Sequence, residues 1–150
     1  MNVNATLSPD DLARACADAM WKEDDASKGL GMTIVEIGPG RATLSMPVKP
    51  EMVNGQRIAH GGFIFTLADS TFAFACNTHN ERAVAAQCHV TFIRPGKLGD
   101  LLVASGEISR SGRSGIYDVR VTAGDVVIAE FRGHSRTIGG AWLPETVTKA

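Results

Sequence analysis

Apolar residues change their spacing several times along the chain, and each change marks an element. From Arg41 to Val48, Ala42, Leu44 and Met46 alternate with Thr43 and Ser45, the two-residue period of a strand buried on one face. The preceding run, Gly29 to Ile37, joins it through Gly38-Pro39-Gly40, which predicts a hairpin. The stretch from Gly61 to Asn77 reads differently. Phe63, Ile64, Phe65, Leu67, Ala68, Phe72, Ala73, Phe74 and Ala75 cover nearly every side of a helix, and only Thr66, Asp69, Ser70 and Thr71 interrupt them. A helix apolar all round is an enclosed one. Strand-like runs follow at Ala83 to Arg94, Leu101 to Arg110, Ile116 to Ala123 and Val126 to Ile138. Short turns separate them: Pro95 to Gly99, Ser111 to Gly115, and Ala123-Gly124-Asp125. Connections of that length favour antiparallel neighbours over crossovers.

Ahead of these elements, Ser8-Pro9-Asp10-Asp11 is a helix start, with Ser8 as N-cap, Pro9 at the first helical position and two acids facing the dipole. Leu12, Ala15, Cys16, Ala19 and Met20 form an apolar stripe on a helix running to about Lys22, so residues 1–25 are expected to lie on the body as a flap. Residues 139–150 are expected to form a flexible tail. The order predicts an α+β domain spanning 1–150, with an antiparallel sheet of about six strands wrapped around one long helix. Such a sheet leaves an edge and an incompletely covered helix. A second copy joined edge to edge would relieve both.

Composition narrows the function classes. The 150 residues carry a net charge of -1, with lysines and arginines dispersed, so there is no broad positive field for nucleic acid or an anionic membrane. The polar, acid-bearing N-terminus and the absence of a bilayer-length apolar run predict a cytoplasmic protein. Cys16, Cys76 and Cys88 lack disulfide or zinc spacing and read as buried free thiols, and no metal is expected.

Asp69 is the candidate for chemistry, because burying a carboxylate costs several kcal/mol unless it is paired, hydrogen-bonded or working with a shifted pKa. A lone helical aspartate is otherwise a structural acid bonded to nearby hydroxyls or backbone. Gly61 and Gly62 change the balance, since they put free N–H groups at a helix N-terminus with no side chain to block an approaching anion. Oxyanion donors on one side of a carbonyl and an acid on the other suit chemistry at a carbonyl carbon, with Asp69 either activating water or attacking the carbonyl itself. The phenylalanines at 63, 65, 72 and 74 read as core, with one ring available to an acyl pocket. Arg94, Lys97, Arg110 and Arg113 lie in or beside turns, either as solvated charges or as groups for the phosphates of a ligand.

The segment Asn54-Gly55-Gln56-Arg57-Ile58-Ala59-His60-Gly61-Gly62-Phe63-Ile64-Phe65-Thr66-Leu67-Ala68-Asp69, followed by Phe72 to Asn77 and by Val90-Thr91-Phe92-Ile93-Arg94-Pro95-Gly96, resembles the hotdog-fold acyl-CoA thioesterases. Within them it is most similar to the phenylacetic acid degradation thioesterases of bacteria. The resemblance implies a hotdog fold and hydrolysis of aryl-acetyl or hydroxyphenylacetyl coenzyme A thioesters. It implies no cofactor, coenzyme A being part of the substrate. It carries the family's loop asparagine onto Asn54, its histidine, in a positioning role, onto His60, its oxyanion-hole glycine onto Gly61, with Gly62 beside it, and its carboxylate onto Asp69. Where related enzymes hold the attacking water with Ser or Thr, this chain has Ala85, Ala86 and Gln87, of which only Gln87 can substitute.

Gly61 and Asp69 stand eight residues apart, roughly 12 Å along a helix, too far to flank one carbonyl. Two chains are therefore expected to share each site across a twofold axis, and the resemblance implies a dimer of dimers, a homotetramer. The rival readings are a non-catalytic acyl-CoA-binding domain and a hotdog hydratase or dehydratase, whose Asp-x-Asn-Pro-x-His stretch is absent.

Overall fold

The computed structural model describes residues 6–112 and 114–144. The elements are α1 (Pro9–Glu23), α2 (Asp25–Gly29), β1 (Thr33–Gly38), β2 (Arg41–Pro47), α3 (Gly61–Cys76), β3 (Ala83–Phe92), β4 (Leu101–Arg110), β5 (Ile116–Ala123) and β6 (Val126–Thr137). A 3-10 turn at Pro50–Met52 interrupts the loop before α3. All six strands pair antiparallel in one sheet, in the order β1-β2-β4-β5-β6-β3. This is the α+β arrangement of the hotdog fold, with the sheet curved over α3.

Local chemistry explains the elements. The Ser8 hydroxyl accepts the Asp11 N–H at 3.1 Å, Pro9 opens α1, and Asp10 and Asp11 face its dipole. The buried face of α1 differs from the expected stripe. Ala13, Cys16 and Ala17 are enclosed, whereas Leu12, Ala15 and Ala19 are half-buried, because the helix turns its small residues to the body and stacks Trp21 against Phe74 at 6.0 Å. Gly29 does not begin a strand. It ends α2, which Asp24 caps by accepting the Ser27 N–H at 2.9 Å, and β1 starts only at Thr33. The segment after Gly139 also differs. Residues 139–144 are tied to the body through Asn77, Asn80 and Arg82, while 145–150 lie outside the described residues.

The core fills the space between the concave sheet and α3. Phe72 lies edge-on to Tyr117, with ring centres 5.5 Å apart, and at 5.8 Å from Phe131, and Leu44, Met46, Leu102, Val119 and Val121 close the layer. On the convex face, Asp118 accepts from Arg132 at 2.6 and 2.9 Å, and Glu130 accepts from Arg120 at 2.8 Å.

The sheet covers only one side of α3. Ile64, Leu67, Ala68, Thr71, Phe72, Phe74, Ala75 and Cys76 are buried, but Gly62, Thr66, Asp69 and Ala73 form a stripe of helical spacing that remains exposed or half-buried. The adjoining edge strand is β3, with Val84 and Phe92 about half exposed.

Gly133 on β6 faces the enclosed Phe72 ring so closely that a Cβ there would sit 2.9 Å from three ring carbons. Gly133→Ala is expected to cost about 1–3 kcal/mol by overpacking. Adding Phe72→Leu should recover part of that loss in the double variant. Thermal melting of the three variants checks this, and additive losses would refute the close-contact explanation.

Candidate active site

Asp69 lies halfway along α3 and is half-buried. Its hydroxyl-bearing neighbours do not hold it. Ser70 bonds the Ser27 hydroxyl at 2.9 Å, Thr66 donates to the Gly62 carbonyl at 2.8 Å, and Thr71 donates to the Leu67 carbonyl at 2.8 Å. Among the described residues the carboxylate receives only the weak donor Cys88, whose sulfur is 3.9 Å from Oδ1. A structural acid would be satisfied by such neighbours, and this one is not. Burial accordingly pushes the Asp69 carboxyl above its ordinary pKa, and the Cys88 contact only partly opposes that. Cys76, enclosed one helical turn beyond Ala73, has its thiol pushed up to about 12, chiefly by burial. It fits the inert thiol expected from sequence.

A cleft of about 380 Å³ opens beside the carboxylate, lined by Met20, Phe72, Ala73, Ala85, Ile138 and Trp142 among others. Its walls are mostly apolar, with one acid, the mixture that suits a small organic group. Phe72 is the phenylalanine that reaches it.

The other end of α3 carries the donors. His60 is the N-cap: its Nδ1 accepts the Gly62 N–H at 2.9 Å, and its ring meets Phe63 edge-on at 6.0 Å. The Gly62 N–H is thereby occupied, leaving Gly61 as the one of the pair whose N–H makes no hydrogen bond among the described residues. The Phe92 ring stands against Gly61, so that a Cβ there would approach it to 2.9 Å. Asn54 accepts the N–H groups of Gln56 and Ile58 on its side-chain oxygen at 2.9 and 3.3 Å, which fixes the loop and leaves its amide NH2 free. Asn54, Gly61 and Arg94 line one cleft of about 400 Å³. Three of the expected residues thus meet at the helix mouth, and Asp69 stands in a separate cleft.

Gln87 does not join either group. A bulge between Ala85 and Gln87 sets the alternation of β3 so that Cys88 and Val90 pack inward on the core. Gln87 therefore projects from the opposite face of the sheet, and the β3 residues beside Asp69 are Cys88, at the carboxylate, and Ala85, in the cleft lining. Arg113 lies outside the described residues. A larger hollow on the convex face, about 480 Å³, is ringed by Glu36, Arg41, Asp118, Arg120 and Glu130, whose charges are largely paired with one another or with Arg132. It contains no acid like Asp69.

The model of the thioesterase superfamily matches residues 56–130, half of the chain, including His60, Gly61, Asp69 and all of β3. The acyl-coenzyme A thioesterase PaaI of Escherichia coli is 41% identical over 126 residues, covering 83% of this chain and 90% of that protein. The chain belongs to the thioesterase superfamily. Acyl-coenzyme A thioesterase 13 of Homo sapiens is a more distant superfamily relative, 30% identical over 84% of this chain and 94% of its own length. Among solved structures, the E. coli PaaI protein from the phenylacetic acid degradation operon superposes with a TM-score of 0.87 at 39% identity, covering 89% of this chain and 99% of that one. A Streptococcus mutans protein whose structure holds acetyl CoA superposes with a TM-score of 0.70 at 28% identity, covering 73% of this chain and 90% of that one.

The state of Asp69 gives a pH signature with a definite sign. The folded chain binds this proton more tightly than the unfolded chain, so the stabilising contribution is complete below the ordinary aspartate pKa of about 4 and is lost as pH rises through the raised value. Asp69→Asn, which removes the charge, is expected to melt higher than the parent at neutral pH, with the difference closing as pH falls towards roughly 4. Calorimetry across that range checks it, and a pH-independent gap would exclude desolvation of the carboxylate as its cause.

Proposed function

We propose that the protein is an acyl-CoA thioesterase acting on aryl-acetyl thioesters, with phenylacetyl- and hydroxyphenylacetyl-CoA as its substrates and aromatic catabolism as its setting. The observation that carries the proposal is a half-buried carboxylate without a strong donor, set in a mostly apolar cleft on a thioesterase-superfamily fold. The choice of acyl group follows the E. coli relative, whose structure is described as coming from the phenylacetic acid degradation operon. In the reaction the substrate carbonyl oxygen takes the Gly61 N–H and the Asn54 amide as the oxyanion develops. Asp69 either takes a proton from the attacking water or adds to the carbonyl carbon to give a mixed anhydride that water then opens. In both routes the C–S bond breaks, the sulfur leaves as coenzyme A thiol after gaining a proton, and the acyl group leaves as the free acid. Arg94, in the Gly61 cleft, serves the coenzyme A phosphates.

The site is shared between two copies. Gly61 and Asp69 belong to different clefts of one chain and are separated by roughly 12 Å of helix. Pairing of two β3 edges brings the uncovered stripes of two α3 helices together antiparallel, so that each Asp69 meets the other chain's Gly61. Two such dimers then associate as a tetramer.

Thiol release from a panel of aryl- and fatty acyl-CoA thioesters tests the chemistry. Asp69→Asn is expected to lose roughly 100- to 10,000-fold in turnover while still binding substrate. Equal rates in both proteins would remove Asp69 from the mechanism, and ligand binding without release from any thioester would favour a sensor. Sharing has its own test. Mixing Asp69→Asn chains with Gly61→Val chains forms heterodimers with one intact site, and statistical exchange should restore roughly a quarter of the parent activity. Recovery of none, after subunit exchange is demonstrated, would refute a shared site.

A further inference from the structure

The cleft beside Asp69 is lined along α3 by Ala73, Cys76 and Asn77, and Trp142, from the segment after β6, joins its lining where the indole bonds Asn77. That segment is fixed by two buried amides. Asn77, only 1% exposed, accepts the Trp142 indole N–H at 2.9 Å on the same oxygen that takes the Ala83 N–H, while its NH2 donates to the carbonyls of Ala73 and Ala83. Asn80, held in the left-handed region at φ 57°, accepts the N–H groups of Trp142 and Leu143 at 3.0 and 2.8 Å. Arg82 completes the fixation, donating from Nε to the Ala141 carbonyl at 3.1 Å and laying its guanidinium 4.1 Å from the centre of the Trp142 ring. These bonds hold the indole against the end of the helix that carries the carboxylate. A loosely attached tail would give no defined wall.

We infer that Trp142, positioned by Asn77, Asn80 and Arg82, is the residue that sets which acyl groups this thioesterase accepts; the inference rests on the function proposed above. Asn77 follows Asp69 by eight residues, so the inferred wall, the indole bonded to Asn77, stands roughly 12 Å along the helix from the carboxylate residue. A cleft stopped at that distance by a flat ring takes a compact, one-ring acyl group. A long extended fatty acyl chain, such as myristoyl, meets the indole before its thioester can reach Asp69. The aromatic lining of Phe72 and Trp142 adds favourable contact with a substrate ring. Ile138, on the same wall, is 59% exposed, and only its backbone N–H is hydrogen-bonded, to the Arg82 carbonyl.

The test is the ratio of kcat/KM for myristoyl-CoA to that for phenylacetyl-CoA in the full chain. Trp142→Ala is expected to raise this ratio by about tenfold or more, the scale on which pocket shape discriminates acyl groups. Trp142→Phe, which keeps a ring but cannot donate to Asn77, should melt lower with the ratio little changed. Ile138→Ala, which breaks no hydrogen bond, should move the ratio in the same direction as Trp142→Ala and serves in its place if that variant does not fold. An unaltered ratio in a folded Trp142→Ala or Ile138→Ala protein would overturn the inference and leave the thioesterase reading standing. Failure of the parent protein to release thiol from either substrate would remove both.

Discussion

One constraint organises this molecule: a helix too apolar to face water must also carry a carboxylate that the chain leaves without a strong donor. The six-strand sheet resolves the first demand by curving over α3 and enclosing Leu67, Ala68, Thr71, Phe72 and Ala75. It cannot resolve the second. Every hydroxyl near Asp69 is committed elsewhere, to Ser27 or to carbonyls of the helix itself, so the acid keeps its lone pairs for something outside the chain. In a half-dry setting that is energetically costly, and the raised pKa is its signature.

The same helix determines where donors can be. Its N-terminus would present several free N–H groups, but His60 takes that of Gly62 and leaves Gly61 open, so the donor is narrowed to one amide beside the free Asn54 NH2. The absence of a side chain at Gly61 is needed on steric grounds as well, because Phe92 fills the space a Cβ would require. A rigid helix then fixes the distance between donor and acid. On the function proposed above, that distance exceeds the span of a carbonyl group, and the proposal therefore requires two copies at each site.

The segment following β6 shows how a small domain builds precision from amides instead of further apolar surface. Asn77 and Asn80 each serve several backbone groups from a nearly buried position, and the Trp142 indole is held at its nitrogen and on its ring face. Buried amides of this kind are costly unless every atom is used, and no buried side-chain polar atom among the described residues lacks a partner.

Much of this was legible in the residues themselves. The alternation of β2, the extents of β4 and β5, the Ser8 cap of α1 and the start of α3 at Gly61 all follow from local periodicity and turn chemistry, which act between near neighbours in the chain. Asp69 stood out for the same reason, as a charge in an apolar run. What sequence could not supply was decided by contacts between residues distant along the chain. The short α2 escaped notice because its cap and its Ser27–Ser70 bond matter only once the chain has folded back on α3. The bulge in β3 reversed the direction of Gln87, since strand facing depends on register against β6 and a single extra residue inverts it. The tail looked free because Asn77, Asn80 and Arg82, which bind it, lie some sixty residues earlier. Local pattern fixed the elements and named the acid; only the tertiary fold decided which face each side chain shows, which donors remain unspent and what lines the cleft, because those depend on partners that no window of neighbouring residues contains.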